Sequence, residues 1–292
     1  VIKAGLAETL ASAGPFTVFA PTNQAFEDSG ITDLEAITPE QLKTILLYHV
    51  IAGAEVGSSM VESGPVDSAA DLTLFVSTLS GVRLNGGHSI RGGADVVAVD
   101  VNASNGVIHV IDRVLLPPDI PTAAAYAGLG ELTKAISAAA PLPGGTGVAD
   151  ALKGEGPFTV FAPTDDAFKA IQAPGDTAAL RDVLLYHVVA GSVPSDSIPS
   201  MAPSLLANLQ GNPVSLIFGK AWGPTVNGAQ VTIADIKTTN GLVHVVESVL
   251  LPPDIVDVAG IAEFTELGKA IGAASPLPGG TSVADALKGE GP

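Results

Sequence analysis

Apolar residues recur at helical spacing in two segments of the chain. The first segment follows Thr38-Pro39-Glu40-Gln41, where Thr and a Gln three residues later form a capping box and Pro occupies the first helical position. The pattern therefore predicts a helix that begins directly after Thr38. A second helix is predicted after a cap at Asp176 or Thr177. The two apolar stripes are Leu42, Ile45, Leu46, His49 and Leu180, Val183, Leu184, His187.

Other segments have the composition of short strands separated by turns. Asn105-Gly106 is a turn dipeptide, and Pro117-Pro118 ends the apolar segment that follows it. The predicted strands are 16–19, 72–76, 81–86 and 107–116, and the Phe-Thr-Val-Phe of the first returns at 158–161. Helices come first and strands follow, without a regular strand–helix–strand alternation. The pattern therefore predicts an α+β fold.

The sequence repeats itself. Residues 140–157 return at 275–292 with only two changes, an offset of 275 − 140 = 135 residues. A period of this length is too long for a solenoid unit and suits a self-contained domain. We therefore expect tandem domains: residues 1–120 form one that lacks its first part, 121–255 form a complete one, and 256–292 begin a third.

Composition narrows the possible functions. The chain has 47% hydrophobic residues, enough for sizeable cores, and 30 acidic against 13 basic residues, for a net charge of −17. Nucleic acid and anionic membrane both require clustered Lys and Arg, so this balance argues against either partner. The apolar runs are too short to span a bilayer, so we expect no membrane insertion in this segment. Cysteine is absent, which excludes disulfides and thiolate chemistry.

Three ordered motifs, each present twice, resemble the fasciclin domain family. The first is Phe-Thr-Val-Phe-Ala-Pro-Thr at 16–22 and 158–164, the second is the Tyr-His pair at 48–49 and 186–187, and the third is the Asn-Gly box that begins at 105 and at 240. The resemblance covers essentially the whole chain. It implies a strand core of β-sandwich or wedge shape packed with a helical layer, repeated in tandem.

The same resemblance implies adhesion at a cell surface or in a matrix. The expected localisation is secreted: extracellular, at the cell surface or periplasmic. The expected partner is a protein or glycan, with homotypic association between repeats or chains as a further possibility. In animal members the Tyr-His region and an Asp-Ile pair before the third motif contribute to integrin binding. The matching candidate adhesion surface is Tyr48, His49, Asp100, Val101, Tyr186, His187, Asp235 and Ile236.

Two of these groups also have purely structural interpretations. His49 and His187 lie on apolar helix faces, so we expect buried rings with both nitrogens hydrogen-bonded, with the Asn-Gly turn as one partner. Asp100 and Asp235 precede a turn, where a carboxylate could equally satisfy backbone donors or face a partner. The histidines recur without short-spaced pairs, so we expect no metal site.

The motifs of hydrolases, phosphate-binding loops and zinc peptidases are missing from the sequence, so we expect no enzyme and no cofactor.

Two functions remain in competition. One is adhesion through exposed loops. The other is a structural array in which the domains associate into a fibre, sheath or matrix. A weaker third possibility is a small-molecule site in an apolar cleft between helices and strands.

Overall fold

The computed structural model describes residues 3–29, 37–79, 81–87, 92–171, 175–197, 201–203, 215–219, 224–252 and 265–274. The chain divides into two compact units. Unit 1 comprises Val1–Thr133, Ala149–Gly156 and Asp235–Val243, and unit 2 comprises Lys134–Val148, Pro157–Ala234 and His244–Pro292. Of the predicted third domain, only residues 265–274 lie within the described part.

Among its described residues, the first half of the chain forms one sheet and three α-helices. Its strands follow the order β2-β1-β7-β6-β5-β4-β3, with β1 and β7 parallel and the other described pairs antiparallel. The helices are α1 Ala7–Ala11, α2 Asn23–Asp28 and α3 Pro39–Tyr48. The strands are β1 Phe16–Pro21, β2 Val50–Ala52, β3 Gly64–Asp67, β4 Thr73–Ser77, β5 Arg83–Leu84, β6 Ala94–Ala103 and β7 Gly106–Ile111.

The second half repeats this order, with additional helices before its first strand. Its sheet has the order β10-β11-β12-β13-β14-β8-β9. The helices are α4 Ile120–Tyr126, α5 Gly130–Ala138, α6 Val148–Leu152, α7 Asp165–Lys169, α8 Thr177–Tyr186 and α9 Thr265–Ala273. The strands are β8 Phe158–Pro163, β9 Val188–Ala190, β10 Met201–Pro203, β11 Ser215–Gly219, β12 Thr225–Val226, β13 Ala229–Thr238 and β14 Gly241–Val246. The expected combination of helices and strands is therefore confirmed. None of the described helices is long and apolar enough to cross a bilayer.

The two long helices begin where their caps predict. The Thr38 side chain accepts a hydrogen bond from the Gln41 N–H, and the Gln41 side chain accepts one from the Thr38 N–H, which completes the capping box. In the second helix the cap is Asp176, whose carboxylate accepts from the N–H groups of Ala178 and Ala179. These bonds satisfy donors that the first turn of a helix leaves without partners.

The strand core bends at β6. This strand pairs with β5 only through Ala94 and Asp95, and its pairing with β7 shifts register after Val96 and again after Ala98. Such irregularities bend a strand, so that one strand can belong to both arms of a wedge. The strands β2, β1 and β7 on one side of β6 form one arm, and β5, β4 and β3 on its other side form the second arm. Side chains from both arms meet in one core, in which Phe19, Leu74 and Ile111 pack in the same cluster.

Two strands are shorter than predicted, and one of them is β5, which covers only Arg83–Leu84 of the expected 81–86. The segment 107–116 was expected to be extended throughout, but β7 ends at Ile111. Its parallel partner β1 ends at Pro21, opposite Ile111, because Thr22 caps the next helix. The strand stops where its partner turns away, which the local sequence does not show.

The Asn-Gly turns attach the strand core to the preceding helices. The Asn105 amide donates to the carbonyl oxygens of Leu10 and Ser12, both at 2.9 Å. The Asn240 amide does the same for Leu152 at 2.7 Å and Gly154 at 3.1 Å. After Asn105 the chain passes so close to β1 that a Cβ on Gly106 would lie 2.0 Å from the Phe16 carbonyl oxygen.

We expect Gly106→Ala to lower the free energy of unfolding by about 3 kcal/mol, because the added methyl group overlaps a strand backbone that cannot move away. Gly53→Ala is the matched control. Gly53 also has a positive φ, of 80°, but a Cβ there meets nothing within 4 Å, so the loss should stay near 1 kcal/mol. Urea unfolding of the two variants measures the difference, and equal losses would contradict the proposed close approach.

Candidate functional site

Each Tyr-His pair lies at the end of a long helix and is buried. His49 is 4% exposed; its Nδ1 lies 2.7 Å from the Ile45 carbonyl oxygen, and its Nε2 lies 2.9 Å from the Leu115 amide nitrogen. A carbonyl only accepts and an amide N–H only donates, so Nδ1 carries the proton and Nε2 carries none. The ring is therefore neutral and joins the end of α3 to the segment after β7.

His187 repeats this arrangement in unit 2. Its Nδ1 donates to the Val183 carbonyl oxygen at 2.8 Å, and its Nε2 accepts from the Leu250 N–H at 2.8 Å. Burial lowers the pKa of both His49 and His187 to about 4. The expectation of buried, doubly bonded rings is confirmed, but their partners are a helix carbonyl and the amides of Leu115 and Leu250, not the Asn-Gly turn.

The tyrosine beside each histidine extends into the core. The Tyr48 hydroxyl donates to the Thr73 carbonyl oxygen at 3.0 Å and accepts from the Asn85 amide at 3.0 Å. In unit 2 the Asn227 amide donates to the Tyr186 hydroxyl at 2.6 Å. Burial raises the pKa of both tyrosines, that of Tyr186 to about 12. Tyr48 and Tyr186 are fully buried, so both remain protonated and connect a helix to the far strands.

The asparagines that hold these tyrosines have a left-handed backbone, with φ of 53° at Asn85 and 47° at Asn227. Each side-chain carbonyl accepts a backbone N–H, from Phe75 at 3.1 Å and from Ile217 at 2.8 Å. Sequence reasoning missed both residues. The signal that could have found them is the Asn-Gly dipeptide at 85–86 and 227–228, typical of a tight turn.

Asp100 lies at the irregular part of β6, with a φ of 59°. Its carboxylate accepts the Ser58 N–H at 2.8 Å and also the Ser58 hydroxyl, and its own N–H donates to His109 Nδ1 at 3.4 Å. The Ser58 hydroxyl and amide bonds hold the pKa of Asp100 below its usual value. The carboxylate is therefore both fixed locally and exposed to solvent, with Val101 beside it 47% exposed.

The corresponding pair in the second sheet lies in a different environment. Asp235 has nearly the same φ, 57°, but Ile236 is only 1% exposed. The next residue, Lys237, belongs to unit 1, where its N–H donates to Thr73 Oγ1 at 2.9 Å. Its ammonium lies 2.8 Å from an Asp67 carboxylate oxygen and 2.6 Å from one of Asp71.

These two carboxylates raise the pKa of Lys237. Local sequence patterns carry no signal for this contact, because Lys237 and Asp67 are 170 positions apart.

The eight candidate residues therefore do not form one surface. Tyr48, His49, Tyr186, His187 and Ile236 are buried, whereas Asp100 and Val101 face solvent and Asp235 is half-buried. A partner can reach Asp100 and Val101 directly, while the Tyr-His pairs act on any surface only through the fold. In the described part of the chain, no three His, Asp or Glu side chains are grouped so that they could hold a metal ion.

We expect the protein to lose stability as the pH falls from about 6.5 towards about 4. Folding keeps His49 and His187 neutral with a lowered pKa, so acid protonates the unfolded chain first. Above pH 6.5 both histidines are neutral in the folded and the unfolded chain, and the free energy of unfolding has its full value. As the pH falls from 6.5 to the folded pKa, each ring lowers the free energy of unfolding by about 3 kcal/mol. Urea unfolding as a function of pH measures the loss.

His187→Gln is the informative variant for this test, because Gln can donate to Val183 and accept from Leu250 but does not titrate. It should remove about half of the fall in stability between pH 6.5 and 4. An unchanged pH profile in the variant would show that His187 is not a source of the acid sensitivity.

Comparison with known proteins agrees with the repeated architecture. Human periostin is 30% identical over 295 residues, which cover 93% of this chain but 33% of periostin. Protein sll1483 of Synechocystis is 43% identical over 123 residues, 40% of this chain and 64% of that protein. The chain thus spans less than two thirds of either relative.

Among solved structures, the FAS1 domain pair of the insect cell adhesion molecule Fasciclin I is 18% identical. It covers 85% of this chain and 92% of its own, with a TM-score of 0.48. The Fasciclin domain family model matches residues 1–117 and 132–252, most of the sequence. The chain therefore belongs to the fasciclin domain family, of which it contains two copies in tandem.

Proposed function

We propose that this chain is a non-enzymatic adhesion module that binds a protein or glycan at a cell surface or in a matrix. Its place of action would be outside the cytoplasm: extracellular, on the cell surface or periplasmic. Membership of the fasciclin family supports this proposal. The observation that carries it is an exposed apolar row on β6 in unit 1, which we call the valine row.

The valine row consists of Val97, Val99 and Val101. These side chains are 59%, 45% and 47% exposed, and Met60, on the turn that holds Asp100, is 60% exposed. Single exposed apolar side chains are normal in proteins, but a group of them on one strand is typical of an interaction site. Val101 belongs both to the valine row and to the candidate adhesion surface, and all three valines of the row are accessible to a partner.

Asp100 gives the valine row a fixed charge. Ser58 holds the carboxylate through its N–H and its hydroxyl, so the side chain is already ordered before a partner arrives. Ordering a group in advance reduces the entropy that binding must overcome. The surface therefore suits a partner with an apolar patch next to a hydrogen-bond donor or a cation.

The second sheet supplies an internal comparison. The residues at the same places on β13, 135 positions later, are Thr232, Ala234 and Ile236. Thr232 and Ala234 are exposed but less apolar, and Ile236 is buried. This difference supports the first copy of the domain as the carrier of the proposed adhesive surface.

We expect Val99→Lys to weaken binding to the partner about tenfold or more, because a lysine there places a charge in the apolar contact. The matched control is Ala234→Lys, which puts the same charge on the same strand position of the second copy. An array of extracellular proteins and glycans, probed with the wild-type chain and both variants, would give the binding. Both variants should keep the wild-type melting temperature. Equal binding by Val99→Lys and the wild type would place the adhesive surface elsewhere.

A second candidate function is self-association into a fibre or sheath. The pairing of β6 favours this function. Among the described residues, β7 pairs with β6 along one edge, but on the other edge β5 pairs only with its start, so the part beyond Val96 has an open edge. An open strand edge is a site where another chain can add a strand.

Sedimentation at increasing concentration, with negative-stain images, separates the two functions. Self-association would give larger species or fibres with the wild-type chain and fewer with Val99→Lys. A monomer at all concentrations that still binds the array would leave adhesion alone.

A further inference from the structure

Unit 1 contains a cavity of about 170 Å³ between its helices and β1. Leu10 of α1, Phe26 of α2, and Leu42 and Leu46 of α3 contribute to its wall, and Phe19 and Ala20 line it from the strand side. The cavity is separate from the valine row, none of whose residues lines it.

The wall of this cavity exposes no polar atom. The polar residue in the wall, His49, uses both ring nitrogens for the Ile45 carbonyl and the Leu115 amide. A water molecule needs two or more polar partners to stay in a cavity, and this wall provides none. The space therefore favours an apolar occupant over water.

The second copy of the domain differs from the first at several of these positions. Several half-buried residues of the cavity wall have buried counterparts in the second copy, whereas Ile45 and its counterpart Val183 are half-buried in both. The counterparts of Leu10, Ala20, Pro21, Phe26 and Leu46 are Leu152, Ala162, Pro163, Phe168 and Leu184. The half-buried wall residues of the first copy are accessible to solvent, and this gives a small molecule a path into the cavity.

We propose that the cavity of unit 1 binds a small uncharged apolar molecule, of the size of a single substituted benzene ring. A cavity of about 150 Å³ lined by Leu, Ile and Phe is known to stay dry and to bind benzene. The cavity here has a similar size and the same kind of wall. Binding is driven by the burial of apolar surface and needs no hydrogen bond.

The proposal is tested by titrating the full chain with toluene and following backbone amide signals by NMR. We expect saturable shifts of residues around the cavity. Phenol is the matched probe, since it has nearly the same shape but carries a hydroxyl that finds no partner in this wall. Phenol should bind at least about tenfold more weakly than toluene. Absence of saturable toluene shifts, or equal affinity for both probes, would overturn the proposal.

Variants that fill the cavity test whether toluene binds at this place. Ala20→Leu on β1 fills it and should reduce toluene affinity about tenfold or more, whereas Ala52→Leu on the neighbouring β2, exposed and outside the wall, should leave affinity unchanged. Phe26→Trp fills the cavity from α2 and gives a second measurement in case Ala20→Leu does not fold.

Two other results would also reject the proposal. One is unchanged toluene affinity in both filling variants. The other is a dimer of the wild-type chain that Ala20→Leu converts to a monomer, because a second copy would then be the occupant of the cavity. Neither result bears on Val99→Lys, so the adhesion proposal is decided separately.

Discussion

The arrangement of each domain depends on one buried imidazole at the end of its long helix. The ring satisfies a carbonyl that the helix end would otherwise leave without a partner, and it accepts an amide from the segment after the last strand. A buried polar group is costly unless it is fully hydrogen-bonded, and here both nitrogens are. Only the neutral form with its proton on Nδ1 makes both bonds. The histidine therefore holds the end of the long helix against the segment that follows the last strand.

The tyrosine next to the histidine extends this constraint to the opposite arm of the strand core. Its hydroxyl meets an asparagine whose backbone has a left-handed conformation, and that asparagine also binds the neighbouring strand. The adjacent tyrosine and histidine thus join the long helix to the segment after the last strand and to the opposite arm of the strand core. This explains why the Tyr-His pairs are buried although the family resemblance placed them on a candidate surface.

The features that could be predicted from the sequence are the ones that depend on near neighbours in the chain. The helix that begins after Thr38 is fixed by a cap and an apolar stripe within a dozen positions, and it was predicted correctly. The end of β7 at Ile111 depends on where β1 turns away, and the contact of Lys237 with Asp67 joins residues 170 positions apart. Neither leaves a local signal. The same holds for Val101 and Ile236, which occupy equal places in the repeat but differ in exposure because their surroundings differ.

Two copies with one framework can carry different surfaces, because the residues that hold the fold are not the residues that face solvent. His49 and His187 make the same two bonds, and Asp100 and Asp235 have the same backbone conformation within 2° of φ, 59° and 57°. At the matching places on β6 and β13, the three valines of the first copy correspond to threonine, alanine and isoleucine in the second. The fold tolerates this exchange since exposed positions contribute little to stability, typically within about 0.5 kcal/mol. A partner that recognises the valine row would therefore distinguish the first copy from the second without any change in the architecture they share.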